Sequence, residues 1–287
     1  MRTTLKAYYR LTKPGIIYGN LLTAAAGFLV AAGGNIAWLS FVSVLVGTAL
    51  VIGAGCVINN YYDRDIDAKM ARTKKRPLVT GAIHPRDALI FAAVLAVLGF
   101  TVLVLGTNTP TVIIGLIGFL DYVLIYTWSK RHTTYATLIG SISGATPIAA
   151  GYTAAAGAFD AGALLLFAVM VIWQMPHFYA IAMFRQDDYA AAHIPVLPIA
   201  RGVRRAKIHM LFYIAAYIAA VAALTVAGVT GFVFAVVMVG LSAWWLWRSI
   251  QGFNAPDTKR WARKLFGFSL YVLLGLSVML SLNSLLP

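Results

Sequence analysis

Residues 39–67 read Leu39-Ser40-Phe41-Val42-Ser43-Val44-Leu45-Val46-Gly47-Thr48-Ala49-Leu50-Val51-Ile52-Gly53-Ala54-Gly55-Cys56-Val57-Ile58-Asn59-Asn60-Tyr61-Tyr62-Asp63-Arg64-Asp65-Ile66-Asp67. An uncharged apolar run of about 20 residues is long enough to cross a bilayer core as a helix. Acids crowd its far end. Asn59, Asp63 and Asp67 are spaced four and four, so on a helix they share one face. Three oxygen-bearing side chains then form a stripe from membrane depth to the surface. Like charges four apart repel, which favours a cation between them. Hard oxygen ligands suit Mg²⁺, which prefers one or two carboxylates together with substrate phosphates. A solvated helix end, with Arg64 and Lys69 as counter-ions, is the other reading of the same residues.

The rest of the chain agrees with the apolar run. Of 287 residues, 61% are hydrophobic and 11% are charged. Mean hydropathy is +0.81. Soluble domains carry about 25% charged residues, and disordered chains are polar, so both classes are excluded. A single cysteine, Cys56, excludes a disulfide scaffold and a cysteine metal cluster. The composition predicts an all-α integral membrane protein. Nine stretches qualify as transmembrane helices: 16–33, 39–61, 88–106, 111–129, 137–156, 162–184, 208–228, 230–248 and 265–286. The fifth is interrupted by Gly140, Gly144, Pro147 and Gly151. These glycines let helices approach closely, and Pro147 predicts a kink.

The net charge of +14 would suggest nucleic acid in a soluble protein. Here its distribution excludes that partner. Four Lys/Arg precede the first span, seven lie between spans 2 and 3, two between 4 and 5, five between 6 and 7, and five between 8 and 9. The other connections have none. The positive-inside rule then places the N-terminus in the cytoplasm and the C-terminus outside. No cleavable signal or transit peptide is visible, and no connection is long enough for a soluble domain. The expected location is a bacterial or archaeal plasma membrane.

Six of the nine aspartates fall near the cytoplasmic ends of spans 2 and 6 (Asp63, Asp65, Asp67, Asp87, Asp187, Asp188), and there is no glutamate. After the first cluster comes Lys69-Met70-Ala71-Arg72-Thr73-Lys74-Lys75-Arg76-Pro77-Leu78, either a plain positive-inside loop or a diphosphate cradle, since arginine forks match phosphate oxygens. The second cluster reads Trp173-Gln174-Met175-Pro176-His177-Phe178-Tyr179, then Phe184-Arg185-Gln186-Asp187-Asp188-Tyr189. On a continuous helix His177 and Asp188 share a face, about 16 Å apart in depth. A Gln174/His177 pair inside the membrane is a functional hint; a hydrogen bond to a neighbouring helix is the plainer account. Asp121 falls inside span 4, where a charge is costly.

Asn59-x-x-x-Asp63-x-x-x-Asp67 followed by Arg72-Thr73-x-x-Arg76-Pro77-Leu78 resembles the first aspartate motif of the UbiA-type intramembrane prenyltransferases. Thr12-Lys13-Pro14-Gly15-Ile16-Ile17, Lys130-Arg131-His132, Leu138 through Ala145, Trp173 through His177, Ile194 through Pro198 and Trp261 through Phe266 are similar to one branch of that family, which farnesylates haem. The resemblance runs from about residue 8 to 285. It implies one prenyltransferase domain over residues 1–287, with nine transmembrane helices around a central cavity. It implies transfer of the farnesyl group of farnesyl diphosphate to a vinyl group of haem b, with addition of water, giving haem O. An aromatic quinone precursor is the alternative acceptor. A secondary transporter is disfavoured because the acids gather at one surface, and a haem-delivery subunit would not need the Asp/Arg stripe.

By the same resemblance, Mg²⁺ bridges Asp63, Asp67 and the diphosphate, with Asn59 as ligand or neighbour, and Asp187 and Asp188 offer a second ion. The relatives' second motif has spaced aspartates that are missing here, so this second site is incomplete. Arg72, Arg76, Lys130 and Arg131 neutralise the leaving group, and Asn20 is at a depth to face it. Tyr62, Tyr126, Tyr152 and Phe178 are candidates to face the farnesyl cation through their rings. His177, with Gln174, and His132 are candidates for haem contact. Membrane lipid surrounds the chain, and a haem A synthase or a terminal oxidase is the implied protein partner.

Overall fold

The computed structural model describes residues 2–286. Among these residues there is no strand. The chain begins with α1 (Arg2–Leu11), then runs through α2 (Pro14–Ala32), α3 (Trp38–Tyr62), α4 (Arg64–Lys69), α5 (Pro85–Gly106) and α6 (Thr109–Leu120). A π-helical turn (Asp121–Tyr126) carries α6 into α7 (Thr127–His132). Then come α8 (Ala136–Ala156), α9 (Ala161–Phe184), α10 (Gln186–Ala191), α11 (Leu197–Ala200), α12 (Val203–Val226), α13 (Phe232–Ile250) and α14 (Thr258–Ser281).

Among the described residues, eight of these helical segments are long and apolar enough to cross a membrane. The fifth predicted span, α8, is long enough at 21 residues but is not among the eight. Its glycines, serines and threonines face neighbouring helices rather than lipid. A Cβ on Gly27 would strike the Ile148 carbonyl, and one on Gly151 would strike the Ala24 carbonyl. Without side chains there, α2 and α8 pack backbone to backbone, the usual reason for small residues between membrane helices. Pro147 does not end α8. It leaves the Ser143 carbonyl without its usual i+4 donor, and the Thr146 hydroxyl donates to that carbonyl at 2.8 Å.

Helix ends differ from expectation where polar residues cap them. The predicted span 265–286 starts seven residues earlier, at Thr258, because the Asp257 carboxylate accepts the Arg260 N–H. Lys259, Arg260, Arg263 and Lys264 thus extend the helix beyond its apolar part. The segment before the first predicted span forms a helix of its own, α1.

Two cores hold the bundle. Trp173, Met210, Tyr217, Phe234, Trp245 and Leu276 pack between α9, α12, α13 and α14. Phe28, Val44, Val51, Leu103, Ile114 and Ala149 pack among α2, α3, α5, α6 and α8. α2 touches both α8 and α14, so it closes the arrangement. At one end Leu11, Val57, Leu78 and Ile83 join α1, α3 and the connection to α5. At the same end Ile66 and Met70 pack on Ala192 and Ile194, so the connections that follow α4 and α10 meet.

Candidate active site

The acidic stripe forms, with one modification. Asp63 is the junction of α3 and α4, yet the four-residue register survives. Its N–H donates to the Asn59 carbonyl at 2.9 Å, and the Asp67 N–H donates to the Asp63 carbonyl at 2.7 Å. Asp63 is 0% exposed and Asp67 is 1% exposed. Charges so buried require partners. Each has its own cation rather than a neighbour on the same helix. Lys130 Nζ donates to Asp63 Oδ2 at 2.7 Å, and Arg76 donates to Asp67 Oδ2 at 2.5 Å. The expected counter-ions Arg64 and Lys69 do not serve: Arg64 donates to the Tyr61 carbonyl and lies over the Tyr61 ring.

Arg131 forks onto exposed Asp65 at 2.7 and 2.8 Å, reaches the Tyr62 carbonyl and lies 3.9 Å from Asp63 Oδ1. The fork holds the Asp65 carboxyl below the usual range. Asp63 Oδ1 and Asp67 Oδ1 are buried and have no hydrogen-bond partner. Two unpartnered anionic oxygens, one turn apart, are the donors a hard divalent cation takes. The residues therefore fit Mg²⁺, with Asn59 beside them.

Asn59 anchors the deep end of the stripe. Its Oδ1 accepts from Lys13 Nζ at 2.7 Å, and its Nδ2 donates to Thr127 Oγ1 at 3.1 Å. Thr127 follows the π turn, and its hydroxyl donates to the Tyr122 carbonyl at 2.8 Å. π turns are rare and occur often at functional sites. This one presents Tyr122 and Tyr126 as a stacked pair, with centroids 5.4 Å apart, and brings α7 with Lys130 to Asp63. Tyr189, from α10, is half-buried close enough to Tyr126, Arg72 and Lys130 to feel their charges, and desolvation pushes its phenol up.

The second acidic pair separates. Asp188 Oδ1 accepts the Ala71 N–H at 2.9 Å, tying α10 to the basic connection after α4. Asp187 is exposed and pairs with Lys259 at 2.6 Å. Among the described residues, no three His, Cys, Asp or Glu side chains are arranged to hold a metal. Asp187 thus faces outward, while Asp188 is held at the connection that follows Asp67. A break at Arg185 (φ −108°) splits the expected continuous helix into α9 and α10, so His177 and Asp188 do not share one helical face.

Gln174 and His177 also part company. Gln174 Nε2 donates to the Ser141 and Met170 carbonyls, both at 3.0 Å. His177 Nδ1 lies 2.7 Å from Ser269 Oγ on α14 and stacks on Trp173. Ser269 Oγ donates its single hydrogen to the Phe266 carbonyl at 2.7 Å. Both short contacts carry a hydrogen only if His177 Nδ1 bears the proton, which leaves Nε2 as a lone pair.

Other expected residues lie apart. Tyr152 donates to Asp160 at the opposite end of α8. The Tyr62 side chain and Phe178 are exposed, and Phe178 meets the His177 ring edge-on. His132 stacks on Trp128 and contacts the Trp128 carbonyl of its own helix. Asn20 donates to the Ile16 carbonyl one turn back. Arg72 is exposed. Asp121 is buried and accepts the Ser143 N–H at 3.1 Å.

Spacing in the sequence does not point to Lys13, Thr127, Tyr189 or Ser269 as site residues. Lys13 alone had a local signal, a cation placed directly before the proline that starts a membrane helix.

These features together gather buried carboxylates and cations beside aromatic rings at one end of the helical bundle. The chain matches the UbiA prenyltransferase family over residues 20–273, and it belongs to that family. It is 49% identical over 283 residues to the protoheme IX farnesyltransferase of Citrobacter koseri, covering 98% of this chain and 96% of that one. The protoheme IX farnesyltransferase of Salmonella choleraesuis is 48% identical over the same shares. Among solved structures, a digeranylgeranylglyceryl phosphate synthase is similar at TM-score 0.81 and 19% identity, over 98% of this chain and 99% of that one. A UbiA homologue from Archaeoglobus fulgidus bound to GPP and Mg²⁺ is similar at TM-score 0.74 and 17% identity, over 96% and 99%. These two likenesses concern the fold.

Proposed function

We propose that this chain transfers the farnesyl group of farnesyl diphosphate to a vinyl group of haem b, with addition of water, giving haem O and diphosphate. The observation that carries the reading is the pair Asp63 and Asp67, each buried, each held by a cation through Oδ2, each with an Oδ1 that accepts no hydrogen bond. The names of the two relatives at 49% and 48% identity supply the donor and the acceptor.

Asp63 and Asp67, with Asn59, would hold Mg²⁺; bound there, the ion supplies positive charge against the diphosphate oxygens. Lys130, Arg76 and Arg131 surround the same place. Each has more N–H donors than its carboxylate uses, so each has donors left for a phosphate oxygen. Their charge favours departure of the diphosphate with the electron pair of the allylic C–O bond. The stacked Tyr122 and Tyr126 offer π faces to the allylic cation, worth about 0.5–2 kcal/mol each. The vinyl π electrons form the new C–C bond, and the cation left beside the porphyrin takes hydroxide from water and releases a proton. Tyr189 and the joined connections after α4 and α10 cover the site and exclude bulk water, which would otherwise yield farnesol. The unprotonated Nε2 of His177 is the imidazole nitrogen available to haem iron.

The whole chain serves as one prenyltransferase domain of nine transmembrane helices, α8 being the ninth. The charge asymmetry of the connections supports a cytoplasmic N-terminus and a site that opens toward the cytoplasm, in a bacterial or archaeal plasma membrane. A haem A synthase or a terminal oxidase is the partner to which the product passes.

The test is incubation of the purified protein in lipid with haem b, farnesyl diphosphate and Mg²⁺, followed by chromatography and mass spectrometry. A haem heavier by one farnesyl group and the elements of water, absent with EDTA, is the expected product. Farnesyl transfer to an aromatic acceptor with haem unchanged would overturn the acceptor assignment.

A further inference from the structure

The outer face of α12 carries a groove of about 530 Å³, lined by Arg205, Ile208, His209, Phe212 and Tyr213. Their spacing of three and four residues is that of one helical face. No other helix closes this face: Phe212 is 72% exposed, and Arg205 and Ile208 are exposed as well. Its floor is aromatic. Tyr179, buried on α9, has its ring 6.3 Å from those of both His209 and Tyr213.

The groove joins two environments. Arg205 precedes the apolar run that begins at residue 208, whereas Phe212 stands about 10 Å further along the helix at 1.5 Å per residue. In a bilayer Arg205 lies at the headgroup level and Phe212 meets acyl chains. A water-soluble partner reaches the first of these but not the second.

The polar groups of the groove are unmatched within the chain. Among the described residues, the Arg205 guanidinium, the His209 ring and the Tyr213 hydroxyl make no side-chain hydrogen bond, and no carboxylate oxygen lies within 4.0 Å of Arg205. Lys207, two residues on and facing the bundle, differs: its ammonium donates to the Gly252 carbonyl at 2.7 Å and lies over the Trp261 ring. Polar groups at membrane depth are costly until they are hydrogen-bonded. A ligand that answers all three has an anionic head, hydrogen-bond acceptors one to two turns deeper, and an apolar tail.

We propose that this groove binds an anionic phospholipid of the surrounding bilayer. The phosphate takes the Arg205 fork, the ester oxygens accept from His209 and Tyr213, and an acyl chain lies along Ile208 and Phe212. Basic pockets among membrane helices on the cytoplasmic side hold such headgroups. The buried aspartates and their cations belong to α3, α4, α7 and the connection after α4, not to α12, so the proposal does not depend on prenyl transfer.

Native mass spectrometry of the protein purified in detergent, with phosphatidylglycerol and phosphatidylcholine added in equal amounts, tests this. A one-to-one adduct with phosphatidylglycerol is expected to exceed that with phosphatidylcholine. Arg205→Gln lowers phosphatidylglycerol affinity about tenfold, the scale of a lost charge-assisted hydrogen bond, and Phe212→Ala lowers it by less. Both side chains are exposed, so neither change threatens the fold. Arg260→Gln on α14 removes an equally exposed charge at the same end of the bundle and leaves affinity within about twofold. Equal retention of the two lipids, or equal losses in Arg205→Gln and Arg260→Gln, overturns the proposal by reducing the groove to general surface charge. Displacement of bound phosphatidylglycerol by equimolar haem b, through its propionates, overturns it in favour of a haem-docking site.

Discussion

Lys130 Nζ donates to Asp63 Oδ2 at 2.7 Å across 67 residues of chain, and the carboxylate it meets has no exposed surface. Removing one member of such a pair strands the other. Lys130→Met is expected to abolish turnover and to destabilise the protein by about 3 kcal/mol, measured by thermal unfolding in detergent. Adding Asp63→Asn recovers much of the stability but none of the activity. A double variant no more stable than the single one would mean that Lys130 does not compensate Asp63.

Asp63→Asn and Asp67→Asn preserve shape and remove the anionic oxygens. Each is expected to lower turnover at least about 100-fold, with insertion in the membrane unchanged. Dependence on Mg²⁺ concentration moves upward in whichever variant retains measurable rate. Near-normal rates in either would remove the metal assignment.

The two aspartates after α9 are expected to behave differently. Asp187 pairs with Lys259 at the surface, where ion pairs contribute little, so Asp187→Asn changes kcat/KM by less than about twofold. Asp188 holds the Ala71 N–H, and Asp188→Ala, which removes that acceptor, loosens the connection that carries Arg72 and Arg76. The expected sign is a raised KM for farnesyl diphosphate. A loss in Asp187→Asn as deep as in Asp63→Asn would restore a second metal site there.

Gly144 faces Gln174, and a Cβ at that position would overlap the amide that bonds the Ser141 carbonyl. Gly144→Ala is expected to cost about 1–3 kcal/mol, the range for an overfilled core. Gly19→Ala, where nothing lies within 4 Å, provides the control. Equal melting temperatures for the two would show that α8 and α9 have slack.

His177→Ala is expected to shift the absorption of added haem b. Ser269→Ala frees Nδ1 from its acceptor and is expected to weaken haem binding less than His177→Ala does. An unchanged spectrum in His177→Ala would remove this imidazole from the iron.

Periodicity and length located the helices well, because apolar runs of bilayer length have few alternatives. The four-residue spacing of Asn59, Asp63 and Asp67 was equally legible, since it depends only on helical pitch. The continuous face from His177 to Asp188 was not, because Arg185 breaks the helix and no proline or glycine announces it. Nor was the separation of Gln174 from His177. Three residues apart on α9, they face α8 and α14 respectively, and that follows from which helices flank α9.

The sequence by itself determined the membrane class, the positions of the apolar helices and the acid-and-arginine stripe, since all three rest on interactions within one segment. Tertiary structure alone decided which cation serves which carboxylate, with Lys130, Arg76 and Lys13 arriving from three separate segments. It also decided that Asp187 faces outward while Asp63 is enclosed. Burial sets the strength of a charge, and burial depends on what packs alongside, which no local pattern encodes.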